Sequence, residues 1–170
     1  MKQPELIAMC GLPYSGKTTL AEKLARELGA KMLAYDWTWA RVKPHDQAPD
    51  TENVSEWEEV MDIAADDIRQ QLSLGKSVVF DNINHTRQDR DKLRALASEV
   101  GAGFRLVYLK TRLEVAEERR QANLESNTRH HVISANLAKA YRTWEDPTNE
   151  PGVMEYTAAS NLDDLLKRLL

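Results

Sequence analysis

The sequence predicts an α/β fold of three layers, with a central five-stranded parallel sheet, helices on both faces and a small helical lid. Three observations predict it. Residues 11–18 read GLPYSGKT and fit the phosphate-binding pattern G-x-x-x-x-G-K-[ST] at every fixed position. The apolar run LIAMC at 6–10 leads into this loop, and a helical pattern leads out of it. Strand and helix signals then alternate to the last residue, which implies parallel strands joined by right-handed crossovers. Together these define the P-loop NTPase arrangement.

Each element follows from its local pattern. The first strand is the run at 6–10. The first helix carries Leu20, Leu24 and Leu28 on one stripe, supported by Ala21 and Ala25. KMLAY at 31–35 reads as a short second strand. Residues 38–54 are polar, contain Pro44 and Pro49 and show no period, so a loop is expected there. Ser55 with Glu58 forms a capping-box pattern; Met61, Ala64, Ile68 and Leu72 continue at helical spacing until Gly75. SVVFD at 77–81 is a third strand, apolar without alternation, as suits a parallel strand covered on both faces.

Thr86 and Asp89 cap the next helix, striped by Leu93, Leu96, Ala97 and Val100 and bracketed by Gly101 and Gly103. A fourth strand is expected at 104–109, a helix at 113–123, a polar segment at 124–130 and a helix at 132–144. Pro147 and Pro151 precede a fifth strand at 153–157. Leu162, Leu165, Leu166 and Leu169 close the chain as an amphipathic helix. No repeat or linker marks off a second unit, so 1–170 reads as a single domain.

Bulk properties narrow the class. Of 170 residues, 42% are hydrophobic and 29% charged, as in soluble globular proteins. The formal net charge of −4 disfavours extended nucleic acid as a partner. The single Cys10 leaves no internal disulfide. No segment has the apolar length of a membrane span, and residues 1–5 lack the apolar core of a signal peptide; a cytoplasmic location is expected. Oligomeric state is not legible.

The loop dictates the chemistry. Gly11 and Gly16 allow backbone conformations closed to other residues, so the amides of Leu12, Pro13, Tyr14, Ser15 and their neighbours can wrap a polyphosphate, proline contributing no N–H. Lys17 places charge on the β- and γ-phosphates, the Thr18 hydroxyl suits Mg²⁺, and Thr19 continues the helix start that favours an anion. ATP and Mg²⁺ are the expected cofactors. In parallel sheets the ligand sits at the carboxyl ends of the strands, which brings in Asp36, Asp81 with Asn82, and Lys110, Thr111 and Arg112.

Asp81 is read as the second metal-side ligand, or as a strand-end cap. Asp36 is read as a general base on the acceptor side, or as a turn residue or helix cap. Arg119, Arg120 and Arg129 fall where a lid is expected, at about 117–131. There they either neutralise a transferring phosphoryl group or pair with Glu114, Glu117 and Glu118. Trp37, Trp39, Trp57 and Tyr14 are expected around the acceptor, stacking or packing. Adjacent His130 and His131 lack metal-site spacing, Cys10 is expected to pack, and the acidic run from Glu56 to Asp67 reads as a solvated helix face.

The loop, VVFDN at 78–82, HTRQDRDKLRALA at 85–97, EERRQAN at 117–123 and WEDPTNEP at 144–151 together resemble one group. These are the small P-loop kinases of the AAA_33-like ATP-binding group, related to polynucleotide 5′-hydroxyl kinase and zeta toxin. The resemblance covers nearly the whole chain and implies ATP-dependent phosphorylation of a hydroxyl. It matches Lys17 and Thr18 to phosphate and Mg²⁺, Asp36 to the base, and Arg119, Arg120 or Arg129 to the lid. Relatives commonly carry an arginine three residues after the base; Trp39 stands there, with Arg41 two further on, which counts against a polynucleotide acceptor.

The leading expectation is a kinase acting on a small-molecule or nucleotide-type hydroxyl. The alternatives are a 5′-hydroxyl polynucleotide kinase and a nucleotide-gated regulatory NTPase switch.

Overall fold

A computed structural model of the protein describes residues 3–43, 54–126 and 134–170, with the backbone alone at 54–55 and 134–137. Five strands, β1 (Glu5–Cys10), β2 (Lys31–Ala34), β3 (Val78–Asp81), β4 (Gly103–Leu109) and β5 (Val153–Tyr156), pair in parallel in the order β2-β3-β1-β4-β5. The helices among the described residues are α1 (Lys17–Leu28), α2 (Tyr35–Val42), α3 (Val54–Ser73), α4 (Arg87–Glu99), α5 (Leu113–Ser126), α6 (Ser134–Arg142) and α7 (Leu162–Leu169). No helix among these residues is long and apolar enough to cross a membrane.

The sheet separates two cores, and strand periodicity assigns residues between them. Leu6, Ala8 and Cys10 of β1, with Val78 and Phe80 of β3, face Val60, Ala64, Ile68 and Leu72 of α3 and Leu93 and Leu96 of α4. Ile7, Met9 and Val79 face the other way, against Leu20 and Leu24 of α1 and Leu165 and Leu169 of α7. Both faces are covered, so β1 and β3 show no polar alternation. Each fully buried leucine here contributes about 1.5–3 kcal/mol.

One element departs from expectation. Residues 38–42 are helical rather than loop, and β2 ends at Ala34 because α2 starts at Tyr35. Tyr35, Thr38 and Trp39 are its buried residues, at helical spacing, and Thr38 Oγ1 donates to Ala34 O at 3.3 Å. That one-turn stripe is too short to stand out beside the polar, proline-bearing residues that follow. Pro44 and Pro49 themselves lie outside the described residues, as does the Ser55 side chain.

Elsewhere the boundaries are close to those expected. The capping box of α4 forms, with Asp89 N–H donating to Thr86 Oγ1 at 3.1 Å and Thr86 N–H to Asp89 Oδ2 at 3.4 Å. The helix α5 runs on to Ser126, through the start of the polar segment expected at 124–130.

Candidate active site

The chain leaves β1 at Cys10 and turns tightly before α1. Gly11 has φ 153°, and a Cβ there would meet Leu109 O and Ser15 Oγ at 3.0 Å, so the turn closes only on glycine. Gly16, at φ 99°, precedes α1 and supplies no side-chain cap. The first N–H groups and the positive end of α1 are thereby oriented for an anion. Gly11 N–H donates to Ile83 O at 3.3 Å and ties the loop to the turn after β3.

Alternation along β3 puts Asp81 on the same side as Val79, the side that α1 covers. Asp81 is buried, and its Oδ2 accepts from Thr18 Oγ1 at 2.6 Å. One hydroxyl and one carboxylate converging at the loop suit Mg²⁺, which takes few protein ligands and completes its shell with phosphates and water. Lys17 Nζ donates to Leu12 O at 2.7 Å. Burial lowers its pKa, while the charges of Asp81, Cys10 and Asp36 oppose the shift.

On one side of the loop lies a cleft of about 900 Å³. Ser15, Gly16 and Thr19 line it from the loop and α1, and Lys110, Thr111 and Arg112 after β4 line it as the strand-end rule predicts. Thr157, Ala158 and Ala159 after β5 complete it. Sequence reasoning missed these three, although the same rule applied to β5 would have found them.

Tyr14 lines this cleft too, whereas Trp37, Trp39 and Trp57, with which it is expected to group, are not among its lining residues. Arg119 reaches the loop itself: its Nη1 donates to Tyr14 O at 3.2 Å and Ser15 O at 3.1 Å. Arg120 is engaged by Glu117, with Nε to both carboxylate oxygens at 2.9 Å. Arg129, His130 and His131, and with them the end of the expected lid, lie outside the described residues.

The other side of the loop is built by α2 and α3. Asp36 is exposed in the first turn of α2, near enough for its charge to act on Lys17. Tyr35 stacks on Trp57 with centroids 4.9 Å apart and lies 6.4 Å from Trp39, so Trp39 and Trp57 pack in or against the core. Trp37 instead is 52% exposed. Asn82 Nδ2 donates to Met61 Sδ at 3.5 Å, which brings α3 to the end of β3. The acidic face of α3 holds nearby cations: Lys43 lies 3.7 Å from Glu56 and 3.4 Å from Glu59, and Arg41 lies 2.5 Å from Asp67.

A second constellation escaped sequence reasoning. Arg90 is wholly buried; its Nε and Nη2 donate to Glu150 Oε1 at 2.9 and 2.6 Å, and its Nη1 to Asn84 O at 2.8 Å. Asn84 Nδ2 in turn donates to Met9 O at 2.7 Å, and Cys10 Sγ to Asn84 O at 3.3 Å. This buried pair therefore braces the turn that holds the phosphate loop. It also joins the segments 85–97 and 144–151. The available signal was an arginine on the apolar stripe of α4, three residues before Leu93.

A family model described as AAA domain, AAA_33, matches residues 6–147. No curated protein matches the chain. A gluconokinase from Sinorhizobium meliloti 1021 is 24% identical with a TM-score of 0.66, over 100% of this chain and 91% of that one. The Mycobacterium tuberculosis APS kinase CysC, solved in complex with AMPPNP and APS, is 18% identical with a TM-score of 0.70, over 99% and 96%. Chaetomium thermophilum Kti12, in complex with ADP-AlF3, is 17% identical with a TM-score of 0.71, over 97% and 99%. At these identities the likeness establishes the fold.

Proposed function

The chain belongs to the AAA_33 family of AAA domains, and we propose that it is an ATP- and Mg²⁺-dependent kinase that phosphorylates a hydroxyl of a small-molecule or nucleotide-type acceptor. One observation carries the step from nucleotide binding to transfer. Asp36 presents an exposed carboxylate at the start of α2, close enough to influence Lys17, while the cleft opens along α1 and α5. In this reading donor and acceptor approach one phosphate loop from different sides. The fold is shared with an APS kinase solved in complex with both AMPPNP and APS, which supports a two-sided site here.

In this reading the nucleoside occupies the cleft, and the loop amides and Lys17 hold the β- and γ-phosphates. Thr18 and Asp81 would hold Mg²⁺, which when bound neutralises phosphate charge. The acceptor oxygen bonds to the γ-phosphorus as the bond to the ADP oxygen breaks, and the acceptor proton passes to the Asp36 carboxylate. Arg119 steadies the loop from α5, and Arg120 and Arg129 are read as lid arginines that neutralise the transferring group. Residues 1–170 act as a single domain.

The test is a screen of γ-labelled ATP against pooled sugars, nucleosides, nucleotides and a 5′-hydroxyl oligonucleotide. Label on a small acceptor supports the reading. Label only on the oligonucleotide moves it to a polynucleotide kinase, and phosphate release without transfer moves it to an NTPase switch.

A further inference from the structure

Among the described residues two non-glycine residues have positive φ, Tyr14 at 62° and Asn84 at 46°. Asn84 has a local reason: asparagine tolerates the left-handed region, and its side chain is anchored on Met9 O in a buried turn. Tyrosine has no such tolerance, because its Cβ crowds the following carbonyl there. Glycine would occupy the same place without strain. A backbone held in this region persists where its surroundings or its task require that side chain.

Three observations show what surrounds it. The residue is half-buried and lines the cleft together with Thr111, Arg112 and Asn123. Its carbonyl shares the Arg119 guanidinium with that of Ser15. Arg120, one residue further along α5, is within electrostatic reach of its phenol. The ring therefore stands where the phosphate loop meets α5, beside the mouth of a helix N-terminus that any polyphosphate could use.

We propose that Tyr14 is a specificity-determining residue of the nucleotide site, whose ring packs on the nucleoside of a bound nucleoside triphosphate. This rests on reading the cleft as the donor site. The phosphate loop by itself recognises a polyphosphate chain and carries no information about what is attached to it. An aromatic wall beside the chain adds apolar area that only a nucleoside can fill, and so separates nucleoside triphosphates from inorganic polyphosphate. The left-handed backbone is the cost of placing a ring there.

The experiment measures binding of ATP and of inorganic triphosphate, each with Mg²⁺, by calorimetry, together with melting temperature. Tyr14→Gly should melt no lower than wild type, lose about tenfold or more in ATP affinity and bind triphosphate as wild type does. Tyr14→Phe should restore ATP affinity to within about twofold of wild type.

The proposal is overturned if Tyr14→Gly keeps wild-type ATP affinity, loses both ligands equally, or melts lower. It is also overturned if Tyr14→Phe is as impaired as Tyr14→Gly. Wild type that binds neither ligand, or Lys17→Ala that binds both normally, overturns the donor-site reading itself and the proposal with it.

Discussion

Thr18 and Asp81, 63 positions apart, meet at 2.6 Å, the hydroxyl donating to the carboxylate. The contact exists because α1 starts on the face of the sheet that Asp81 addresses from the end of β3. Asp81→Asn keeps the shape and removes the charge. The Mg²⁺ concentration for half-maximal turnover should then rise by about 10–100-fold, the range found when a metal's supporting groups are lost. Thr18→Val should move it in the same direction. A magnesium titration at fixed ATP checks both, and an unchanged midpoint would remove this pair from the metal site.

Lys17→Ala should abolish detectable turnover while circular dichroism stays that of the wild type. Burial, ahead of the opposing charges of Asp81, Cys10 and Asp36, holds the Lys17 pKa below its ordinary value. The unfolded chain therefore binds this proton more readily than the folded one. The charged lysine opposes folding below its folded pKa, and that cost is relieved as pH rises through the folded pKa towards 10.5. Two outcomes follow: Lys17→Ala should melt no lower than wild type near neutral pH, and wild-type ATP affinity should fall at a lower pH than an ordinary lysine would set. Dissociation constants measured from neutral to alkaline pH test the second.

Asp36→Asn should lower kcat by about 10²–10⁴-fold, the range for general acid–base catalysis, with little change in ATP affinity. The separation follows from position, since Asp36 begins α2 while the cleft runs along α1 and α5. Near-wild-type turnover of the true acceptor would reduce Asp36 to a first-turn helix residue and make Asp81 the next candidate base.

Glu150→Ala should destabilise the fold by about 3–5 kcal/mol, because it leaves Arg90 buried without its partner carboxylate. Replacing both partners with apolar residues, Arg90→Met with Glu150→Leu, should cost less than the two single changes added together. Urea unfolding of the four proteins measures the coupling. Strict additivity would mean that the pair contributes nothing as a pair.

Cys10 sits at the end of β1, fully buried. Burial pushes its thiol up to about 12 against the lowering charges of Arg90 and Lys17, so little thiolate exists near neutral pH. Iodoacetamide should label the native protein only as fast as it opens, and ATP with Mg²⁺ should slow labelling further by stabilising the folded state. Rapid labelling of the native protein would contradict the burial.

Much of this protein is written in local pattern. The phosphate loop is contiguous, and its glycines, lysine and threonine must follow one another to shape a single turn. The apolar runs of β1, β3 and β4 and the stripes of α1, α4 and α7 are legible because a parallel strand and an amphipathic helix each impose their own period on neighbouring residues. The helix α2 is the exception, since one turn of stripe is too little period to detect.

Tertiary structure decided what no local period encodes. Which face of β3 carries Asp81, and so whether it reaches Thr18, depends on strand alternation and on the side taken by α1. The Arg90–Glu150 pair spans 60 positions, and its value lies in burial that only the packed molecule creates. Tyr14 lines the cleft beside α5, apart from the tryptophans, because the loop's backbone directs it there. Contacts between residues distant in sequence are set by register, crossover and the exclusion of water, which belong to the folded chain as a whole.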